Sequence, residues 1–363
     1  ALGSDTLGHK SVAVGRGSLA TQNFTTATDS LNTAVGYFSG NAITTGTNNT
    51  LIGGEAGDAL TTGASNVAIG YNTLSADTKG ARSVAIGRDA LISQNFTTAT
   101  NAVNVAVGDR SGDAVTTGIE NTLIGGSSGS GLQDADFNVA VGASALTADT
   151  LGSRSVAIGT SALQTQNFTT ATNTLNTAVG FQAGKAITTG IQNTLIGGQA
   201  GDALTDADFN TALGVIALGS DTLGSHNTAI GHGTLSVQNF TTATNAYNTA
   251  VGSQAGTSVT TGTENTFIGG QAGDAITTGS FNVAVGAAAL SADTLGSRNT
   301  AVGLQALAKQ NFTTATDSYN TGIGFFAGVE ITTGVQNTLI GGLAGDAITD
   351  ADRNVGLGYN ALT

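Results

Sequence analysis

The chain contains no Cys, Pro, Met or Trp, and few of its residues are charged. Without Cys it has no disulfide, no zinc–thiolate or iron–sulfur site and no thiol nucleophile. Charged residues make up 10% of the 363 residues, well below the ~25% of an ordinary soluble domain. The chain has 11 Lys and Arg against 24 Asp and Glu, a net charge of −13. This charge opposes binding to nucleic acid or to an anionic membrane surface.

One heptapeptide recurs along the chain at a constant interval. Gln-Asn-Phe-Thr-Thr-Ala-Thr begins at five evenly spaced positions: Gln22, Gln94, Gln166, Gln238 and Gln310. Within each period a shorter motif recurs four times, mostly as [Asn/Ser]-[Thr/Val]-[Ala/Leu]-[Val/Ile]-Gly. In the first period it begins at Ser11, Asn32, Asn49 and Asn66, and the next period starts at Ser83.

The two repeats together define the organisation of the chain. The first step between motifs is twenty-one residues long and the other three are seventeen, so that one period holds seventy-two residues without insertion or deletion. Residues 1–363 are therefore interpreted as a single array of five super-repeats with twenty units. We expect this array to be a fragment of a longer fibre protein.

The short step between motifs favours a β-solenoid over a helical repeat. Helical repeats need ~33–45 residues and an apolar period of 3.6, whereas every unit here is interrupted by the Gly at its fifth position. Seventeen residues suffice for one coil with two short strands and two tight turns. The fold class is therefore all-β, a parallel solenoid of about twenty coils of seventeen or twenty-one residues each. The first predicted strand of each coil is the motif, and the second lies around the apolar residues Ile43, Leu60, Val115, Ile187 and Ile276.

Alternation along a strand assigns the motif residues to two faces. Thr33 and Val35 share one face and Ala34 takes the other. We expect Val35 and its equivalents to fill the roll, and the smaller third residue to meet another chain or layer. The fifth residue, Gly36, is expected to adopt a positive φ or to allow close backbone approach. The Asn that opens most motifs is expected to stack in a ladder from coil to coil.

The motifs themselves resemble a known family. Ser-Val-Ala-Val-Gly at Ser11, Ser-Val-Ala-Ile-Gly at Ser83 and Ser155, and Asn-Val-Ala-Ile-Gly at Asn66 resemble the head repeats of trimeric autotransporter adhesins, of which the YadA type is the best known. The resemblance extends over all the units and implies a left-handed parallel β-roll, a homotrimer and an adhesive role at the cell surface. This chain departs from the family in its longer coils, and we expect the extra residues to lie in turns. Similar arrays occur in bacteriophage tail fibres, so a tail-fibre shaft, a virion component, is the alternative.

The heptapeptide supplies the candidate contact residues. Each long coil either presents its Phe as a receptor-contacting knob or packs the ring against a neighbouring coil or chain. The second interpretation is favoured, because a row of exposed Phe promotes aggregation. The adjoining Thr-Thr-Ala-Thr is then expected to form the outer rim. The rings concerned are Phe24, Phe96, Phe168, Phe240 and Phe312.

Paired Asp residues and paired Thr residues in the turns suggest two further ligands, Ca²⁺ and ice. Paired carboxylates in turns are possible Ca²⁺ ligands, although Asp is also a routine residue of Asx-turns. They are Asp134, Asp136, Asp206, Asp208, Asp350 and Asp352. Thr pairs such as Thr25–Thr26 and Thr44–Thr45 raise the alternative of an ice-binding face, but they fall near turns rather than on a single face. An ice- or calcium-binding solenoid is therefore the weaker alternative.

The sequence offers no pattern for catalysis. Ser, His and Asp coincide nowhere in a repeated arrangement, and four Lys are too few for the charged groove of a solenoid lyase. The chain is therefore expected to be a non-enzymatic fibre segment with no catalytic residue and no cofactor. Its expected partners are further copies of itself, as a homotrimer or a longer fibre, and a cell-surface or matrix receptor. No nucleic acid and no membrane contact is expected within the segment, which we place outside the cell.

Overall fold

The computed structural model describes all residues 1–363 and consists of β-strands, turns and bends without any helix. The chain forms two compact units, Ala1–Thr177 and Ala178–Thr363, with the division inside the strand Thr177–Val179. Each unit is a parallel β-solenoid in which every coil contributes a three-residue strand to one sheet. The predicted all-β fold and parallel solenoid are confirmed.

The strand motif forms the main sheet of each unit. In the first unit its strands are Val12–Val14, Thr33–Val35, Thr50–Ile52, Val67–Ile69, Val84–Ile86, Val105–Val107, Thr122–Ile124, Val139–Val141 and Val156–Ile158. In the second unit they are Thr194–Ile196, Thr211–Leu213, Thr228–Ile230, Thr249–Val251, Thr266–Ile268, Val283–Val285, Thr300–Val302, Thr321–Ile323, Thr338–Ile340 and Val355–Leu357. Equivalent residues pair in register, as Ala34 with Leu51 and Leu51 with Ala68.

A second, shorter ladder joins each long coil to the coil before it. Its two-residue strands in the first unit are Gly8–His9, Thr28–Asp29, Gly80–Ala81, Thr100–Asn101, Gly152–Ser153 and Thr172–Asn173. In the second unit they are Gly224–Ser225, Thr244–Asn245, Gly296–Ser297 and Thr316–Asp317. The extra residues of the long coil lie between this ladder and the turn that precedes it, so the main sheet keeps its register.

The assignment of the two strand faces to inside and outside is wrong. Thr33 and Val35 do share a face, but that face points outward, and the middle residue Ala34 is fully buried. The middle position holds Ala in most coils, with larger Leu or Phe residues in others, such as Leu51 and Phe267. The inside of a thin coil has little room, because a Cβ added at Gly322 would lie 2.9 Å from Leu307 Cγ. The small third residue therefore reflects a narrow core within one chain, not a partner chain.

The predicted second strand is also wrong. Ile43, Leu60, Val115, Ile187 and Ile276 are fully buried, but they lie between turns and outside any strand. The chain bends here because Glu55 and Gly57 both adopt φ of 57°, the left-handed conformation that breaks an extended strand. Single hydrogen bonds still join the coils, as from Thr44 N to Thr61 O at 3.0 Å.

The expectations for Asn and Gly are confirmed. Asn49 N donates to Asn32 Oδ1 at 2.9 Å, Asn66 N donates to Asn49 Oδ1 at 3.0 Å, and the side chains are buried. Gly53 has a φ of 137°, and a Cβ there would lie 2.1 Å from the carbonyl oxygen of Gly70. The motif glycine is thus required both by its conformation and by the close approach of the next coil.

Candidate interaction surfaces

The heptapeptide divides into a buried and an exposed half. All five Phe rings are nearly completely buried, and a Cβ added at Gly224 of the preceding coil would lie 2.8 Å from the Phe240 ring. Phe24 and its equivalents are therefore not exposed knobs. The Thr-Thr-Ala segment that follows each ring is exposed in every long coil. We call these segments the threonine rim: 25–27, 97–99, 169–171, 241–243 and 313–315.

The first residue of the heptapeptide belongs to a buried polar cluster. Gln166 Nε2 donates to Asp149 Oδ2 at 2.5 Å, and Asn176 Nδ2 donates to Gln166 Oε1 at 2.9 Å. The other carboxylate oxygen, Asp149 Oδ1, accepts the backbone N–H groups of Gly152 and Phe168, both at 3.0 Å. Burial raises the pKa of the Asp149 carboxyl, while the hydrogen bonds from Gln166, Phe168 and Gly152 lower it. Since Asp149, Gln166 and Asn176 are buried and every polar atom named here has a partner, the cluster ties the long coil to its neighbour.

The same cluster recurs once per period and was missed by sequence reasoning. We call it the Asp–Gln cluster, and its equivalent pairs are Asp5–Gln22, Asp77–Gln94, Asp149–Gln166, Asp221–Gln238 and Asp293–Gln310. The signal was present in the sequence, because the Asp recurs at the same constant interval as the heptapeptide. Burial also raises the pKa of the Asp293 carboxyl.

The turn carboxylates considered for Ca²⁺ are engaged within the chain. Asp134 Oδ1 accepts from Thr117 Oγ1 at 2.7 Å, and Asp136 Oδ1 accepts from the backbone N–H of Ile119 at 2.8 Å. Asp206 and Asp208 repeat this arrangement, and Asp352 accepts from Val335 N at 2.8 Å, whereas Asp350 accepts from the neighbouring Thr349. The structure brings no three His, Cys, Asp or Glu residues together around a metal-sized space. These bonds give the carboxylates a structural role in joining successive turns.

A stack of aromatic and cationic side chains lies along one corner of the coils. Each occupies the position before the Asn or Ser that opens the motif, where the backbone has a positive φ. In the second unit the His226 ring stacks between Phe209 and Tyr247, with centroid distances of 4.8 and 4.9 Å. Arg298 lies over the Phe281 ring at 4.7 Å, and in the first unit Arg154 lies over Phe137 at 4.9 Å. The ring faces that meet within this stack cover one another, so the stack stabilises the corner.

A continuous and partly exposed apolar surface is formed by the outward side of the main sheet. We call it the outer face, and it consists of the first and third residues of every three-residue strand. All the first residues are Val or Thr, and all the third residues are Val, Ile or Leu. Ile268 is 41% exposed, whereas the adjacent middle residue Phe267 is completely buried. A regular, uncharged and partly apolar surface therefore runs along each unit.

No helix in the structure is available to cross a membrane. No protein family model matches the chain, and no curated protein matches it either.

Proposed function

We propose that this chain is a structural segment, head or shaft, of an extracellular fibre that is adhesive and not enzymatic. In this proposal the coils wind as a left-handed β-roll and three identical chains associate as a homotrimer, as the resemblance to trimeric autotransporter heads implies. The proposal is supported by the motif repeats, by the parallel solenoid they form and by the outer face available for association.

The repetition of the threonine rim carries the adhesive part of the proposal. The same exposed Thr-Thr-Ala segment recurs in all five long coils, each time anchored by a buried Phe and a buried Gln. Within a unit, long coils recur every fourth coil, so successive rims lie ~19 Å apart at ~4.8 Å per coil. Regularly spaced identical contacts add up to strong attachment even when each contact is weak. This arrangement suits an extended receptor or surface better than a single small ligand.

Bead attachment tests the proposal. Beads coated with the protein are counted on cultured epithelial cell layers, with albumin-coated beads as background. A rim variant replaces Thr25, Thr97, Thr169, Thr241 and Thr313 by Gln. A control variant makes the same change at the exposed Thr45, Thr62, Thr261, Thr278 and Thr333 of other coils.

We expect wild-type and control beads to attach above background, and rim-variant beads to attach at least tenfold less. The loss is large because every rim contact weakens at once and avidity multiplies the effect. Attachment no greater than that of albumin beads, or equal attachment of the rim variant and wild type, would refute the adhesive role of the rim.

A further inference from the structure

The outer face carries no charge in a protein that is strongly acidic. None of its Val, Thr, Ile and Leu residues is ionisable, although the chain has a net charge of −13. Large exposed apolar patches on soluble proteins mark interaction sites. Two copies of an acidic chain repel each other least where both surfaces are neutral. The outer face is therefore suited to contact with a surface that is itself uncharged.

The spacing of the outer face restricts what can cover it. Its residues repeat at every coil, ~4.8 Å apart along the solenoid. A partner that contacts each coil in the same way must present groups with the same axial repeat. A second copy of this chain has that repeat and the same uncharged side chains.

The available area is close to that of a specific interface. Fully burying a Val, Leu or Ile side chain removes ~60–120 Å² from water. With two partly exposed side chains per coil, the ten coils of the second unit offer ~600–800 Å². A standard protein interface buries ~800 Å² on each partner. One unit alone thus approaches that size.

Glycines at the margin of the outer face provide an independent observation. In the third coil of each period a second Gly follows the motif Gly, although its φ is not positive. A Cβ added at Gly126 or Gly198 would meet no atom within 4 Å. Neither conformation nor packing within the chain therefore requires Gly at these positions. We call them the glycine notches: Gly54, Gly126, Gly198, Gly270 and Gly342.

In three of the five periods the coil before the notch carries a large aromatic side chain at the equivalent position: Tyr37, Phe181 and Phe325. Phe181 precedes Gly198 by one coil, Phe325 precedes Gly342, and both rings are more than half exposed. At these coils the margin alternates projections and recesses, whereas Asp109 and Ser253 occupy the position in the other two periods. A second copy carries the same alternation, so projections of one chain fit the recesses of another.

We propose that the outer face, with the glycine notches at its margin, is an interface between copies of this chain. The inference rests on the proposed fibre function and names the surface through which its chains associate. It also reverses the sequence-based expectation, because the middle residue of the strand, such as Ala34, faces the core and takes no part in the contact.

Light scattering on three variants of the full chain tests this interface. The first, Ile52→Glu with Ile268→Glu, places one charge on the outer face of each unit. Its matched control, Thr45→Glu with Thr261→Glu, adds the same charges at exposed turn positions. The third, Gly126→Leu with Gly198→Leu, fills one notch in each unit at positions where an added Cβ meets no atom within 4 Å. Circular dichroism verifies that every variant retains its strand content.

We expect the wild type to have a mass that is a multiple of 35.5 kDa. The outer-face variant should raise the dissociation constant at least 100-fold, the notch variant at least tenfold, and the control less than threefold. The notch variant keeps the test decisive if the outer-face variant fails to fold. Association of folded outer-face or notch variants with wild-type affinity would overturn the interface and leave the fibre proposal standing. A monomeric wild type would overturn both, and thermal hysteresis by that monomer would assign the outer face to ice instead.

Discussion

Removing the Asp149 carboxylate tests whether the Asp–Gln cluster holds the long coil in place. Asp149→Ala leaves the backbone N–H groups of Gly152 and Phe168 without an acceptor. It also removes one of the two acceptors of Gln166 Nε2, which still donates to Ser155 Oγ at 2.9 Å. Each orphaned buried donor costs about 1–3 kcal/mol. The variant also removes a buried charge, and burial of that charge is what raises the pKa of Asp149. Part of the loss is therefore offset. We expect a net loss of about 2–4 kcal/mol, which is the cost of two orphaned donors reduced by the burial penalty that the charge no longer imposes.

A polarity swap distinguishes this cluster from simple packing. Asp149→Asn alone directs an amide donor at Gln166 Nε2, so it should cost about 1–2 kcal/mol. Adding Gln166→Glu restores an acceptor for that amide and retains one for Asn176. The double variant should therefore recover at least half of the loss, as a positive coupling in a double-mutant cycle. An exposed control, Asp134→Ala, removes only the bond from Thr117 and should cost less than about 1 kcal/mol.

Hydrogen exchange provides the assay, together with urea unfolding followed by circular dichroism. In Asp149→Ala, the amides of Gly152 and Phe168 should exchange faster, because local opening then costs less. The equivalent amides of Gly296 and Phe312, which Asp293 still accepts, serve as an internal control in the same molecule. Unchanged protection at Phe168, or an unfolding free energy within about 1 kcal/mol of the wild type, would refute the reasoning.

Three further predictions follow from burial and backbone geometry. Phe267→Ala should lower the free energy of unfolding by about 3–5 kcal/mol, and the neighbouring Ile268→Ala should lower it much less, because only Phe267 is buried. Urea unfolding at a protein concentration too low for chains to associate measures both losses. Equal losses would contradict the assignment of the two residues to the inside and the outside. Gly125→Ala should cost at least about 1–3 kcal/mol, since φ is 130° and the Cβ would lie 2.7 Å from Gly142 atoms, whereas Gly126→Ala should be nearly neutral in monomeric protein. Stability should fall as pH rises from about 4 through the raised carboxyl pKa values, because the folded state binds these protons more tightly; a lower urea midpoint at pH 5 than at pH 7.5 would contradict this. The carboxyls whose pKa burial raises are Asp58, Asp149, Asp202, Asp274 and Asp293.

Periodicity was sufficient to predict the coil, its register and its Asn ladder. These features depend on which residues recur at equal spacing, and the sequence displays that directly. The face assignment failed for a physical reason. Alternation shows that Thr33 and Val35 share a side, but it does not show which side is inside. The narrow coil reserves its interior for Ala34 and fills the remaining space with Leu and Ile from the turns, such as Ile43.

Left-handed backbone conformations explain why the predicted second strand of each coil does not form. The coil turns at residues with positive φ that are not Gly, including Glu55, Ser65 and Leu74. Such residues share no side-chain type, so no local signal marks them in the sequence. The Asp–Gln cluster was predictable in principle, because Asp149 and Gln166 lie one coil apart. Its role became visible only when the structure showed both side chains to be buried.

Comparison of the five super-repeats shows which positions are identical in all of them and which positions differ. Exposed positions have diverged between repeats: the residue after the motif Gly of the second coil is Tyr37, Asp109, Phe181, Ser253 or Phe325. The buried Asp and Gln of the cluster have not diverged, as their hydrogen bonds require. The threonine rim and the glycine notches are equally invariant, although the rim is exposed and the notches are exposed or half-buried, and a Cβ added at Gly126 or Gly198 would meet no atom within 4 Å. The identity kept at these positions is consistent with the two proposed contacts, through the rim in the long coil and through the notches in the third coil of each period.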